Sequence, residues 1–292
     1  MKIIVPLAPG GTTDILSRYL AQELHANLGV PVIVENKPGA NNIIGTQALA
    51  SAPGDGYTMG MLISTHTINP HIAKSLPYDS RKDFIPVALI AKMPGLMTIN
   101  PSVPAKTLQE FIALAKAKPG KLAYGQPGGL SSGHLSMEYL KKVAGIDVLS
   151  VPYKGGGPAI VDLAAGHIQA LINSPTSTLP FVRDGRVKAI ATTGATRPPA
   201  LADIPTIAES GFPDFELYEW YGLFFPAGTP QKIVDRMNTE ILKIMATPTM
   251  AKRIEDIGAE SSTYTAGQFA EFVAREDKQW GRLIKLLDMK PE

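Results

Sequence analysis

Cysteine is missing from all 292 positions, which removes disulfides, thiol catalysis and thiolate metal sites together. Histidine is scarce. His25, His66, His71, His134 and His167 stand apart, and none forms an HxxxH or HxH pair, so no zinc-site spacing exists. No apolar run approaches the length of a membrane span. Neither GxGxxG nor GxxxxGK[ST] occurs, so nucleotide binding has no motif behind it. Lys and Arg never exceed two in a row and the net charge is only +2, which argues against a nucleic-acid or membrane-surface partner. No signal peptide precedes the first apolar strand at Met1-Lys2, and an exported form would carry one outside this sequence.

What remains is an ordinary globular composition, 45% hydrophobic and 18% charged, in a length that suggests two domains. The chain is organised around residues 5–14. Ile3-Ile4-Val5 is a buried strand, Pro6 ends it, and Pro9-Gly10-Gly11 turns with freedom for positive φ. Leu16, Leu20, Leu24 and Leu28 then recur at helical spacing, which puts Thr12, Thr13 and Asp14 at a helix start, as capping oxygens. A strand, a glycine turn and a helix N-terminus make a site for an anion.

The pattern continues. Strands are predicted at 32–34 and 57–63 with a helix over 41–52 between them, giving the βαβαβ start of a doubly wound unit. The prolines at 70, 77 and 86 mark an irregular stretch, followed by strands at 87–91 and 96–99. Thr107-Leu108-Gln109-Glu110 has the capping-box pattern of a helix ending near Ala117. Three further strands end at glycine or serine turns: 122–125 before Gly128-Gly129, 148–151 before Gly155-Gly156-Gly157, and 168–172 before Asn173-Ser174. Pro158 suits the first position of the helix that follows Gly157. Later come a short helix over 179–184, strands at 187–192 and 216–225, and helices over 231–246, 248–257 and 266–287.

Ser64, Thr65, Ser131, Ser132, Asn173 and Ser174, like Thr12 and Thr13, fall just past predicted strands. Each alone is ordinarily a cap or turn residue. Together they offer neutral donors to carboxylate oxygens. Lys154 and His134 would add positive potential, although a solvated Lys154 is the ordinary case. Asp14 either caps its own helix or accepts from a ligand in a pocket. Gly129-Leu130-Ser131-Ser132-Gly133 also matches the nucleophile-elbow pattern GxSxG. Pro127-Gly128 interrupts the strand that pattern needs, and no histidine follows His167, so a serine hydrolase using Ser131 is the lesser alternative.

Five segments resemble the signatures of the extracytoplasmic receptors of tripartite tricarboxylate transporters, the Bug family. They are residues 4–14, Glu35 to Ala40, Pro53 to Tyr57, Val151 to Gly155, and Trp220 to Pro230. The resemblance covers essentially the whole chain in order and spacing. It implies an α/β, two-lobed periplasmic binding protein of the Venus-flytrap, type II-like class. Each lobe would be a doubly wound, mostly parallel sheet flanked by helices. Residues 1–100 and 222–292 would form one lobe and 101–221 the other, with the ligand cleft between them. The resemblance implies no enzyme activity and no cofactor or metal. It implies a monomeric periplasmic receptor that closes on a small carboxylate (a di- or tricarboxylate, acidic amino acid or aromatic acid) and delivers it to membrane permease subunits. A ligand sensor for a two-component system is the other reading. The implied ligand residues are Pro9, Gly10, Gly11, Thr12, Thr13, Asp14, Ser64 and Thr65 in the first lobe. In the second they are Gly128, Gly129, Ser131, Ser132, His134, Lys154, Gly155, Gly156, Asn173 and Ser174.

Overall fold

The computed structural model describes residues 1–128 and 131–289. The chain forms two compact units. Unit 1 takes Met1–Lys92, Trp220–Asp256 and the residues from Glu260 onward; unit 2 takes Met93–Glu219 and Ile257–Ala259.

In unit 1, β1 (Lys2–Val5), β2 (Ile33–Asn36) and β3 (Thr58–Ile63) form a parallel trio with β1 in the middle. The helices α1 (Thr12–Leu28), α2 (Ile43–Ala50) and α3 (Thr65–Ile72) each open just after one of these strands. Gly29 stops α1 in the left-handed conformation, with φ 68°, where a side chain would be strained. β3 is buried along its whole length, as a strand covered on both faces must be. β10 (Tyr218–Pro226) runs antiparallel to β3, with β4 (Phe84–Pro94) beside it and β11 (Glu260–Ser261) antiparallel at the edge.

The core of unit 1 is aromatic. Trp220, Phe224, Phe269 and Phe272 are buried together, and each full burial of such a ring contributes about 2–3 kcal/mol. Position 222 must be glycine here: a Cβ would stand 2.2 Å from Phe269 Cζ. The helices α8 (Gln231–Met245), α9 (Pro248–Asp256) and α10 (Ala266–Leu286) supply the remaining apolar faces. Thr265 opens α10 with a full capping box, its side chain and that of Gln268 each accepting from the other's backbone.

Unit 2 repeats the plan. β6 (Ala123–Gln126) lies between β7 (Leu149–Pro152) and β8 (Ala170–Asn173), all parallel. α5 (Ser132–Ala144), α6 (Gly156–Ala165) and α7 (Pro175–Arg183) open after these strands. β5 (Leu96–Ile99) adds antiparallel to β8, and β9 (Lys188–Thr192) antiparallel to β5. Both sheets are therefore mixed, a parallel trio carrying antiparallel strands.

Several expectations shift. Residues 93–100 were expected in the first lobe, but β5 pairs with β8 and β9 and so lies in the sheet of unit 2. On the return, the chain leaves unit 2 after Glu219, inside β10, rather than after residue 221. Residues 257–259 rejoin unit 2 because Thr176 Oγ1 donates to Ile257 O (3.3 Å) and Gly258 sits against Pro175. The stretch expected to be irregular from Pro70 onward instead begins inside α3 (Thr65–Ile72), where no helix was expected. Pro158 is the third residue of α6, not the first; a missing N–H costs nothing there either, since first-turn amides have no acceptor within the helix. The expected capping box of α4 (Leu108–Ala117) is half made. Thr107 accepts from Glu110 N, but Glu110 Oε2 accepts from Lys106 N at 2.6 Å.

Candidate functional site

Because β1, β2 and β3 are parallel, their carboxyl ends lie along one edge of the sheet, and α1, α2 and α3 all begin there. Ligands of open α/β sheets bind at such edges. Pro9, Gly10 and Gly11 are exposed at the tip of the first loop, and Gly10 has φ +89°. Thr12, Thr13 and Asp14 are buried behind them. The expectation that their side chains cap α1 does not hold. The N-cap is Gly11, which has no side chain, so no side-chain cap is made.

Asp14 turns back into its own loop. Its Oδ2 accepts from Gly10 N (3.0 Å) and Arg18 Nε (2.9 Å), and its Oδ1 accepts from Asn36 Nδ2 (3.0 Å). Asn36 Nδ2 also donates to Leu7 O at 3.0 Å, tying the loop after β1 to the end of β2. Burial alone would raise the Asp14 carboxyl; the hydrogen bonds from Arg18, Gly10 and Asn36 outweigh it and hold the group below its ordinary range. Asp14 is therefore an ionised brace that fixes the turn. Of the two roles the sequence left open, the helix cap is not made.

The loop after β2 carries residues the sequence did not single out. Ala40, Asn41 and Asn42 all have positive φ, at 46°, 49° and 72°. One Asn–Asn pair and one Asn–Thr pair hold this left-handed run. Asn41 Nδ2 donates to Asn69 Oδ1 (2.8 Å) while Asn69 Nδ2 donates to Asn41 O (3.0 Å). Asn42 Nδ2 donates to Thr65 Oγ1 at 2.8 Å. The sequence signal was present, since asparagine is the side chain that best tolerates this conformation. Ser64 and Thr65 are buried at the end of β3, and Ser64 O accepts from Thr67 N and Ile68 N. The first-unit candidates thus stand on two adjoining loops, at the openings of α1 and α3.

Unit 2 has the equivalent edge at the carboxyl ends of β6, β7 and β8. Gly128 has φ +98°, and Gly129 lies outside the described residues. Ser131 is the N-cap of α5, accepting from His134 N at 3.4 Å and donating to Gly128 O at 3.3 Å. Ser132 Oγ donates to Glu219 Oε2 at 2.6 Å. His134 is buried and stacks on Tyr124, with ring centroids 6.3 Å apart. Tyr124 in turn donates to Glu138 Oε1 at 2.6 Å, which also accepts from Lys141; burial and that carboxylate raise the phenol well above its usual value. A nucleophilic Ser131 needs an imidazole at its hydroxyl, and the hydroxyl instead spans Gly128 O and the His134 amide.

Gly155 takes φ +119°, and Gly156 opens α6 directly against Asn173. A Cβ at 156 would stand 2.3 Å from Asn173 Nδ2, so the absent side chain is what lets the two loops meet. Asn173 Nδ2 donates to Ser177 Oγ (2.9 Å), and Ser174 Oγ donates to Met93 Sδ (3.1 Å). Lys154 is exposed beside them.

A contrast runs through both units. At the two edges, α1, α2, α3, α6 and α7 have no side-chain cap, and α5 alone is capped. Away from the edges, α4 and α10 are capped by threonine, while α8 opens on Pro230 without a cap. An uncapped N-terminus keeps its amide donors and about half a positive charge available to an anion. Among the described residues no cluster of three or more His, Asp or Glu side chains is placed to hold a metal.

Two mixed α/β sheets, each with helix N-termini gathered at one edge, are an architecture this chain shares with periplasmic solute-binding proteins. The family model described as the tripartite tricarboxylate transporter family receptor matches residues 16–289, and this chain belongs to that family, which includes the Bug proteins. Three solved structures are closely similar. Rpa4515 of R. palustris, with adipate, shares 31% identity at a TM-score of 0.93, covering 100% of this chain and 98% of that one. The periplasmic binding protein BugD shares 31% identity at a TM-score of 0.89, covering 100% and 98%. MatC of Rhodopseudomonas palustris, with bound malate, shares 30% identity at a TM-score of 0.86, covering 97% and 98%. Members of this family are extracytoplasmic substrate-binding receptors, not enzymes.

Proposed function

We propose that this chain captures a small dicarboxylate, or a closely related acid, in the periplasm and delivers it to the permease subunits of a tripartite tricarboxylate transporter. The observation that carries this reading is the set of uncapped helix N-termini at both sheet edges. Each edge offers amides and hydroxyls suited to one carboxylate, without a buried cation. The acid nearest the first edge, Asp14, is committed to Arg18 and Asn36, which lowers its repulsion of an anion at the start of α1. Adipate and malate on two relatives support the same ligand class here.

In this reading Pro9 to Thr13, with Ser64 and Thr65, are the carboxylate-binding residues of unit 1, and Ser131 to His134, Gly155, Gly156, Asn173 and Ser174 are those of unit 2. Mass spectrometry of what the purified protein releases on denaturation tests the proposal. A stoichiometric carboxylic acid supports it; a stoichiometric ligand with no acid group overturns it.

A further inference from the structure

Unit 1 contains a cavity of about 410 Å³ that shares no residue with the candidate site. Its size falls among small-molecule sites, roughly 300–1,000 Å³. Its floor is the packed cluster of Phe84, His66 and Phe224, and its open apolar walls are Pro86, Ala270, Val273 and Ala274. His66 is 3% exposed and meets Phe84 edge-on, with ring centroids 4.9 Å apart, and Phe224 at 5.0 Å. Its Nδ1 has no hydrogen-bond partner, and neither has the buried Oγ of Ser80 in the same wall. Trp220 Nε1, on the ring packed behind Phe224, is also unpartnered. Buried polar atoms are rarely left so, and two of these three belong to residues that line the cavity, His66 and Ser80.

The rim is charged. Arg81 reaches Asp277 through Nε (3.0 Å) and Nη2, and His71 Nε2 shares the same carboxylate at 2.9 Å. Lys278 is exposed on the next position of α10. Arg81 and Lys278 against the one carboxylate of Asp277 leave the rim positive. Burial pushes the His66 imidazole down to about 4, against the pull of the Asp277 charge and the Ser80 backbone, so the interior is neutral at pH 7.

An apolar, aromatic interior beneath a cationic rim selects one kind of guest. We propose that this cavity is a second binding site, for an amphipathic organic monoanion of the aromatic monocarboxylate type. The ring lies on the open apolar lining of Pro86, Ala270, Val273 and Ala274, with the packed Phe84, His66 and Phe224 rings as the floor beneath it, and the carboxylate meets Lys278 and Arg81. This site is independent of the dicarboxylate reading above, and either can stand without the other.

Fluorine NMR with 4-fluorobenzoate tests it on the full chain. Wild type should bind the probe saturably, below about 1 mM. Ala274→Trp fills the cavity from an exposed position of α10 and should weaken binding at least about tenfold. Ala270→Leu, also exposed, narrows the same space and serves if the first variant melts early. Lys278→Ala should weaken binding by about fivefold, the effect of one partly exposed charge pair. Neutral 4-fluorobenzyl alcohol should bind more weakly than the acid. The proposal is overturned if wild type shows no saturable binding, if a cavity-filling variant that keeps its fold binds like wild type, or if the alcohol binds as tightly as the acid.

Discussion

Asp14 and Asn36 meet across 22 residues, Oδ1 accepting from Nδ2 at 3.0 Å, and this contact sets what the first loop offers a ligand. With Arg18 and the Gly10 amide it commits the only acid of the loop to the scaffold. An acid left free beside the α1 N-terminus would repel the anion that the amides attract.

Asp14→Asn should lower stability at pH 7 by about 2 kcal/mol, because the bonds from Arg18 and Gly10 lose their ionic partner. The folded carboxyl is held below its unfolded value of about 3.9. Its contribution is thus complete above pH 4 and is lost as pH falls through the lowered folded value. Melting temperatures taken below pH 4 should fall faster in wild type than in the variant. Parallel curves would contradict the role given to Asp14.

Gly156→Ala should separate close approach from mere flexibility. The new methyl would meet the Asn173 amide at 2.3–2.4 Å, so the loops must part, at a cost of about 1–3 kcal/mol and a loss of ligand affinity. Gly157→Ala is the matched control, since nothing lies within 4 Å of a Cβ there. It should leave melting unchanged or raise it slightly. Equal effects of the two changes in calorimetry would show that Asn173 is not the reason for the glycine.

Ser131→Ala removes the one side-chain cap at these edges. The bond is long, at 3.4 Å, so the loss should sit at the low end of cap substitutions, about 0.5–1 kcal/mol. Hydrolysis of a p-nitrophenyl ester should match buffer alone in wild type and variant. An esterase rate lost with Ser131 would restore the nucleophile reading.

Much of this was legible in the residues because local chemistry governs it. Gly10, Gly29 and Gly155 mark turns by their φ, and the long apolar periodicities mark α1, α8 and α10. What was not legible depends on distant partners. β5 looks like any short apolar strand, and only its pairing with Ile172 and Ala191 assigns it to unit 2. β11 is two residues long, too short for a period. Pro70 argued against α3, yet the buried residues Thr65 to Asn69 and the Asn41–Asn69 pair hold the turn around it. Asp14 looked like a cap because three polar residues stood at a helix start. Its real partners, Arg18 and Asn36, lie one helical turn and one strand away.

The most direct test of the account is isothermal titration calorimetry of the ligand-stripped protein against four- to six-carbon dicarboxylates, with adipate and malate included. At least one should bind with one-to-one stoichiometry and a dissociation constant below about 100 μM, near −5.5 kcal/mol. Affinity should drop at least about tenfold for the matching monocarboxylate, which lacks one of the two charged groups. No saturable heat from any acid up to millimolar concentration would contradict the carboxylate-receptor reading.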